Sequence, residues 1–219
     1  MIPVSEIFGP TIQGEGSFVG TKTYFIRTHG CDYRCEWCDT TYAREGYSYK
    51  ELTVEEILQR LDVSLCRVVT LTGGNPCIYN LRALVMELRR KDFKIHVETQ
   101  GSIWRPWLED VHHITVSPKP PSSGNVTPIT TLSAYESWRY VPSMELKVVV
   151  FDNADYNYAK EVHQYLPHIP LTLQAGSMVG NVDRIGWLID KAMQDKDLRH
   201  NIRVLPQLHV LLWGSKRGV

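Results

Sequence analysis

Apolar and polar positions along the chain follow two alternating rhythms. Short runs rich in Val, Ile and Thr occur at Thr23–Thr28, Arg67–Leu71, Lys94–Glu98, His113–Ser117, Glu145–Phe151 and Pro170–Gln174, with a further run at Ile202–Leu205. Residues branched at Cβ fit a pleated, half-buried surface, so each run predicts a strand. Between the runs, apolar residues recur at helical spacing. Leu81, Leu84, Val85 and Leu88 stand at i, i+3, i+4 and i+7, and Tyr156, Ala159, Val162, His163 and Leu166 share another face. Asp183 to Met193 reads as a helix with Ile185, Leu188 and Ile189 facing inward. Thr53-Val54-Glu55-Glu56 is a capping box, with an acid three residues after the capping threonine, and predicts a helix through about Ser64.

Strand–helix–strand repetition predicts an α/β fold with a mostly parallel sheet and right-handed crossovers. About six strands make a partial, open (β/α) barrel, too few to close a full eight-stranded one. Residues 1–219 read as a single domain. In such folds ligands bind at the C-terminal ends of the strands, and the unusual residues obey that rule. Cys31–Cys38 follows the first run, Thr72-Gly73-Gly74-Asn75-Pro76 the second and Thr99-Gln100-Gly101 the third. Ser117-Pro118-Lys119-Pro120-Pro121 follows the fourth and Gln174-Ala175-Gly176 the sixth.

Composition narrows the function class. With 43% hydrophobic and 22% charged residues the chain is an ordinary globular one. Its 24 basic and 24 acidic side chains balance, so no global field recruits nucleic acid or an anionic membrane. No apolar run is long enough to span a bilayer, and the N-terminus lacks a basic region followed by an apolar stretch; the expected location is the cytoplasm. Five cysteines are an odd number, and three of them fall within eight residues. That suits metal or redox chemistry better than a disulfide framework.

The triplet Cys31, Cys35, Cys38 has the spacing C-x3-C-x2-C. Three thiolates on one short loop can bind three irons of a 4Fe-4S cubane. Such clusters normally take four cysteines, so a lone triplet implies a non-protein ligand on the fourth iron. In radical enzymes that ligand is S-adenosylmethionine, whose reductive cleavage yields a 5′-deoxyadenosyl radical able to take hydrogen from unactivated carbon. The alternative is zinc, which wants four ligands, usually as two pairs. Cys66 and Cys77 are too far apart in sequence to form the second pair and read as buried thiols. Trp37, before the third cysteine, is placed to lie against an adenine. Thr72–Pro76 is a plain strand-to-helix turn by itself. Beside the triplet it reads as the loop that holds the methionine end of the cofactor, since paired glycines let backbone approach a ligand closely.

Nearly the whole chain resembles the 7-carboxy-7-deazaguanine synthase family of radical S-adenosylmethionine enzymes. The resemblance is carried by Glu6-Ile7-Phe8-Gly9-Pro10-Thr11-Ile12-Gln13-Gly14-Glu15-Gly16, the cluster loop with Asp39-Thr40, the Gly73-Gly74 loop, and Glu98-Thr99-Gln100-Gly101. It continues through Ser117–Pro121, Leu205-Pro206-Gln207-Leu208-His209 and Trp213-Gly214. It implies conversion of 6-carboxy-5,6,7,8-tetrahydropterin to 7-carboxy-7-deazaguanine with loss of ammonia and ring contraction, in queuosine and related 7-deazapurine biosynthesis. The implied cofactors are a 4Fe-4S cluster, S-adenosylmethionine, which is regenerated, and Mg²⁺.

By the same resemblance, Cys31, Cys35 and Cys38 bind the cluster. Trp37, Cys38, Asp39, Gly74, Ser117, Pro118, Lys119 and Gln174, Ala175, Gly176, Ser177 contact S-adenosylmethionine. Thr40 binds Mg²⁺, and Arg27 pairs with the substrate carboxylate. Ile12, Gln13, Gly14, Glu15, Thr72 and the Val219 terminus line the pterin. Plainer readings stand beside these: a salt bridge for Arg27, a turn cap for Thr40, a solvated loop for Glu15. Lys147 and His209 stay outside the set. An electron donor such as flavodoxin or ferredoxin and a homodimer are implied, with no nucleic-acid or membrane partner. Two departures stand out. Asn75 occupies the place where many radical enzymes carry Glu after the paired glycines, which puts a charged contact to the cofactor amine in doubt. The chain is also short for the superfamily, which implies missing helices and a more open barrel closed by a dimer partner. The competing functions are a glycyl-radical enzyme activase, which needs neither a Mg²⁺ site nor a pterin pocket, and a zinc-binding nucleic-acid module, which the neutral charge disfavours.

Overall fold

The computed structural model describes residues 1–136, 143–176, 183–214 and 216–219. The chain runs through β1 (Ile2–Ile12), β2 (Lys22–Thr28), α1 (Thr41–Arg44), β3 (Lys50–Leu52), α2 (Val54–Leu58), β4 (Val68–Gly73), α3 (Arg82–Arg90), β5 (Lys94–Thr99) and β6 (His113–Val116). It continues through α4 (Ser133–Glu136), β7 (Met144–Val150), α5 (Asn153–Tyr165), β8 (Leu171–Ala175), α6 (Asp183–Gln194), β9 (Ile202–Leu205) and α7 (Leu208–Trp213). The nine strands among the described residues form one sheet in the order β3-β1-β2-β4-β5-β6-β7-β8-β9. From β2 to β9 every pairing is parallel. β1 pairs antiparallel with both β2 and β3.

The open, mostly parallel barrel is the expected architecture, and two of its strands are additions to the expectation. β1 reads as a loop motif in sequence because Gly9-Pro10 interrupts it. The structure absorbs the interruption as a register shift between Phe8 and Thr11, as a bulge does at a sheet edge. One helix is shorter than expected. The Thr53 capping box forms, with Glu56 N–H donating to Thr53 Oγ1 at 3.1 Å and Thr53 N–H to Glu56 Oε2 at 2.7 Å. The helix then ends at Leu58 instead of about Ser64. Arg60 N–H and Leu61 N–H bond three residues back, and Asp62 Oδ1 accepts from the Ser64 N–H at 2.8 Å, so a side-chain turn takes the backbone over.

Period-2 alternation splits each central strand between two environments. Val69 and Leu71, Ile95 and Val97, Ile114 and Val116, Leu146 and Val148, Leu171 and Leu173 are fully buried in one core with Leu84, Val85 and Leu88 of α3, Tyr156, Ala159 and Val162 of α5, and Leu188 of α6. Each such aliphatic side chain contributes roughly 1.5–3 kcal/mol. The alternate positions carry Thr70 and Thr72, His96 and Glu98, His113 and Thr115, Glu145 and Lys147, Thr172 and Gln174, giving the barrel a polar interior. Cys66 and Cys77 are buried free thiols. β5 reaches β6 through a single 3-10 turn, Pro106–Asp110, so the barrel lacks a crossover α-helix there. Among the described residues no helix is long and apolar enough to cross a membrane.

Candidate active site

The strand C-termini surround a cavity of about 610 Å³, and Cys31, Cys35 and Cys38 all line it. The loop that carries them leaves β2 through Gly30, whose φ of +90° suits a residue without Cβ. It is fixed from outside. Arg44 Nη1 donates to Cys35 O at 3.0 Å, and Glu36 N–H donates to Ser123 O at 2.9 Å. Burial pushes the Cys31 and Cys35 thiols above the ordinary cysteine range. Among the described residues no three His, Cys, Asp or Glu side chains converge on a single-ion site.

The loop after β4 closes onto the cluster loop. A Cβ on Gly74 would lie 2.1 Å from Gly30 O, and Asn75 N–H donates to that same carbonyl at 2.9 Å. Asn75 is fully buried with both ends of its amide engaged. Oδ1 accepts from Cys77 N–H at 3.1 Å and Thr99 Oγ1 at 2.9 Å. Nδ2 donates to Asp32 Oδ1 at 2.9 Å and Ser102 Oγ at 3.2 Å. Asn75 therefore ties the β4 loop to the cluster loop and does not line the cavity.

Trp37, Asp39, Gly74, Ser117 and Lys119 line the cavity with the three cysteines. Trp37 Nε1 donates to Ser122 Oγ at 3.0 Å, and its ring centroid lies 5.3 Å from that of Phe151. Lys119 Nζ stands 5.6 Å from the Trp37 ring centroid and donates to Ser117 Oγ at 3.2 Å; burial holds its pKa below the usual lysine value. Pro118, Gln174, Ala175 and Gly176 are buried but do not line the cavity. Gln174 Nε2 donates across to Leu205 O at 3.0 Å. The cavity wall on this side is the Phe151 ring, against which Gly176 packs. Ser177 lies outside the described residues.

Ile12, Gln13, Gly14, Glu15, Arg27, Thr40, Thr72 and Val219 line the same cavity. Gln13 Nε2 and Thr72 Oγ1 donate to the two oxygens of Glu98, at 3.0 and 2.9 Å. Glu15 is not in a solvated loop: it pairs with the buried Lys147 and accepts from Gln207 Nε2. Burial pushes the Glu15 carboxyl up, but the charges of Lys147 and His209 and the bonds from Lys147 and Gln207 overcome it and hold it at about 2. Arg27 donates through Nε to Glu6 Oε1 at 2.8 Å. This ion pair belongs to the cavity wall and not to the surface, since both side chains are at most 15% exposed. The Thr40 side chain makes no cap bond, and its hydroxyl stands 3.8 Å from Cys38 Sγ.

The structure adds Glu6, Tyr42, Glu98, Lys147, Gln207, His209 and Arg217 to the cavity. For Glu98 and Lys147 a signal was present. A strand buried on both faces should be continuously apolar, so charges at alternate positions of β5 and β7 mark a polar lumen. The others stand on the interrupted strand β1, on the short helices α1 and α7, or in the loop and tail beside them, all too short or irregular to show a period.

Residues 25–116 match the family model of the Radical SAM superfamily. Over its whole length the chain is 43% identical to the 7-carboxy-7-deazaguanine synthase of Bacillus cereus, covering 99% of that protein, and 42% identical to that of Bacillus subtilis, covering 98%. Its fold is similar to the crystal structure of QueE from Escherichia coli, with a TM-score of 0.74 and 26% identity over 95% of this chain and 94% of that one.

Proposed function

The chain belongs to the 7-carboxy-7-deazaguanine synthase family of radical S-adenosylmethionine enzymes, and on that premise we propose that it converts 6-carboxy-5,6,7,8-tetrahydropterin to 7-carboxy-7-deazaguanine, releasing ammonia as the ring contracts. The observation that carries this reading is that one cavity is lined both by the cysteine triplet and by the paired charges Glu6–Arg27 and Glu15–Lys147.

Cys31, Cys35 and Cys38 hold the cluster, and when bound it and S-adenosylmethionine supply the hydrogen-abstracting radical. Trp37 offers its face to the adenine, and Gly74 and Ser117 let backbone and hydroxyl approach the cofactor. Lys119, beside Ser117 and Trp37, would supply a cation for the carboxylate of a bound cofactor. Gln13, Glu15, Thr72 and Glu98 form a hydrogen-bonding wall suited to a flat, donor-rich aminopyrimidinone. Such a ring recognises carboxylates and amides in fixed positions, and Glu15 and Glu98 are both held by neighbours before the ligand arrives. Arg27 keeps its Nε on Glu6 and offers the rest of its planar fork to the substrate carboxylate. Thr40, between Cys38 and α1, supplies an oxygen for Mg²⁺, a hard cation that takes few protein ligands beside a substrate carboxylate. An electron donor of the flavodoxin or ferredoxin class reduces the cluster, and the enzyme works as a homodimer in the cytoplasm.

The test is an anaerobic assay of the reconstituted protein with the carboxytetrahydropterin, S-adenosylmethionine, reductant and Mg²⁺. The deazaguanine acid is the expected product, with turnover lost on chelating Mg²⁺. An intact cluster that cleaves S-adenosylmethionine but yields no deazapurine would sink the substrate assignment. Labelling that appears in a protein backbone instead would favour an activase.

A further inference from the structure

We infer that Glu145, which does not touch the cavity, is a positioning residue: it holds the Gln13–Ser17 loop in the shape that presents Gln13 and Glu15 to the substrate. The inference rests on the proposed pterin site. Glu145 stands near the start of β7, one inward position before Lys147, and is 1% exposed. Its carboxylate receives the Ser17 N–H on both oxygens, at 2.8 and 2.9 Å, and the Ser17 hydroxyl at 2.7 Å. Thr115 Oγ1 and Thr172 Oγ1 donate to it at 3.0 and 2.9 Å. Among the described residues its only ion-pair partner is His113, whose Nε2 is 3.6 Å away.

A carboxylate buried without a full cation is costly unless donors surround it. Here every neighbour named is a donor, and two of the threonines reach only from the barrel wall. The wall thus solvates the charge, and the charge in turn grips one backbone N–H of the loop. Gly16 allows the approach. Its φ is +66°, and a Cβ there would lie 2.3 Å from Glu145 Oε1. The loop has further anchors. Phe18 packs between His96 and His113, with ring centroids 4.2 and 4.6 Å away. Leu208 N–H donates to Gly14 O at 2.9 Å, and Arg203 Nη1 donates to Ser17 Oγ at 3.1 Å. Glu15 lies between these anchors and Gln13 directly before them, and their side chains reach Lys147 and Glu98. Removing the central grip at Ser17 frees the segment that carries both.

The experiment compares the cluster-loaded wild type with Glu145→Ala and with the isosteric pair Thr115→Val/Thr172→Val, which strips the wall donors while keeping volume. Three quantities are read: amide hydrogen exchange of residues 13–17 against that of β4 and β5, S-adenosylmethionine binding, and KM and kcat for the pterin. The expected result is faster exchange confined to the loop, unchanged cofactor binding, and a KM about tenfold higher with little change in kcat, the size of one buried hydrogen bond lost. The double variant should move KM in the same direction. Unchanged loop exchange in both variants, or altered exchange with a wild-type KM, overturns the inference. If Glu145→Ala fails to fold, the double variant decides by the same criteria. A wild type that does not turn over the pterin refutes the proposed function and so this role in substrate binding; the exchange arm separates that failure from loss of the loop contact itself.

Discussion

At the scale of single residues, the cavity is organised by charges that hold one another. Lys147 is buried and pairs with Glu15, and burial, which would lower its pKa, is outweighed by Glu15 and Glu98, so it is raised. Deleting one member of a buried pair strands the other. Lys147→Met should therefore destabilise the protein by about 3–5 kcal/mol, while Lys147→Met combined with Glu15→Gln should recover most of that loss. Denaturant unfolding of both variants in a double-mutant cycle measures the coupling, and equal losses in the two would remove the pair as a unit. Sequence reading reached the cysteine triplet through spacing alone. It left Lys147 aside although its alternate position in β7 marks a polar lumen, because the partner that sets its role is Glu15, 132 positions away. Asn75 shows the same limit. Its departure from the expected Glu was visible, but its engagement with Asp32, Ser102, Thr99 and Cys77 required the loops to be brought together.

Among elements, the parallel strands and the helices after β4, β7 and β8 were legible because each obeys one period over several residues. The early end of α2 was not, since Asp62 competes with the helix through a side-chain turn that propensity does not register. β1 was missed because a glycine and a proline interrupt it. The C-terminal segment after α7 carries a device of its own. Arg217 donates to Glu6 Oε2 at 2.9 Å, and its guanidinium lies 3.7 Å from the Tyr42 ring centroid. Glu6 in turn holds Arg27. The tail is thereby fastened over the Arg27 end of the cavity. Arg217 is half exposed, so Arg217→Ala should cost no more than about 1 kcal/mol of stability yet raise the KM for the pterin. Thermal unfolding and steady-state kinetics on the same preparation check the two halves, and an unchanged KM would mean that the strap does not shape the site.

Across the whole molecule, an apolar shell between sheet and helices encloses a barrel interior that is polar, and this makes stability depend on pH. Burial and the neighbouring His113 lower His96 from 6.5 to about 4. Burial would raise Glu145, but bonds from His113 and Ser17 lower it from 4.5 to about 2. In both cases the unfolded chain binds the proton more readily, so stability rises with pH across each window. It should be complete above 6.5, fall through the His96 window from 6.5 to about 4, and fall further through the Glu145 window from 4.5 to about 2. Tm measured against pH for wild type and His96→Phe tests this: the variant should weaken the dependence in the upper window, to which His112 and His163, both lowered by burial, also contribute, and leave the lower one unchanged. The α/β class and the cysteine triplet that lines the cavity were readable without the structure, because each is encoded in contiguous residues or a short period. Only the tertiary structure decided which charges complete the site. Glu15 meets Lys147 and Gln207, Arg27 meets Glu6, and Ser17 meets Glu145 across separations of up to 192 positions. Such contacts depend on how strands from both ends of the chain close around one cavity, and no local pattern carries that information.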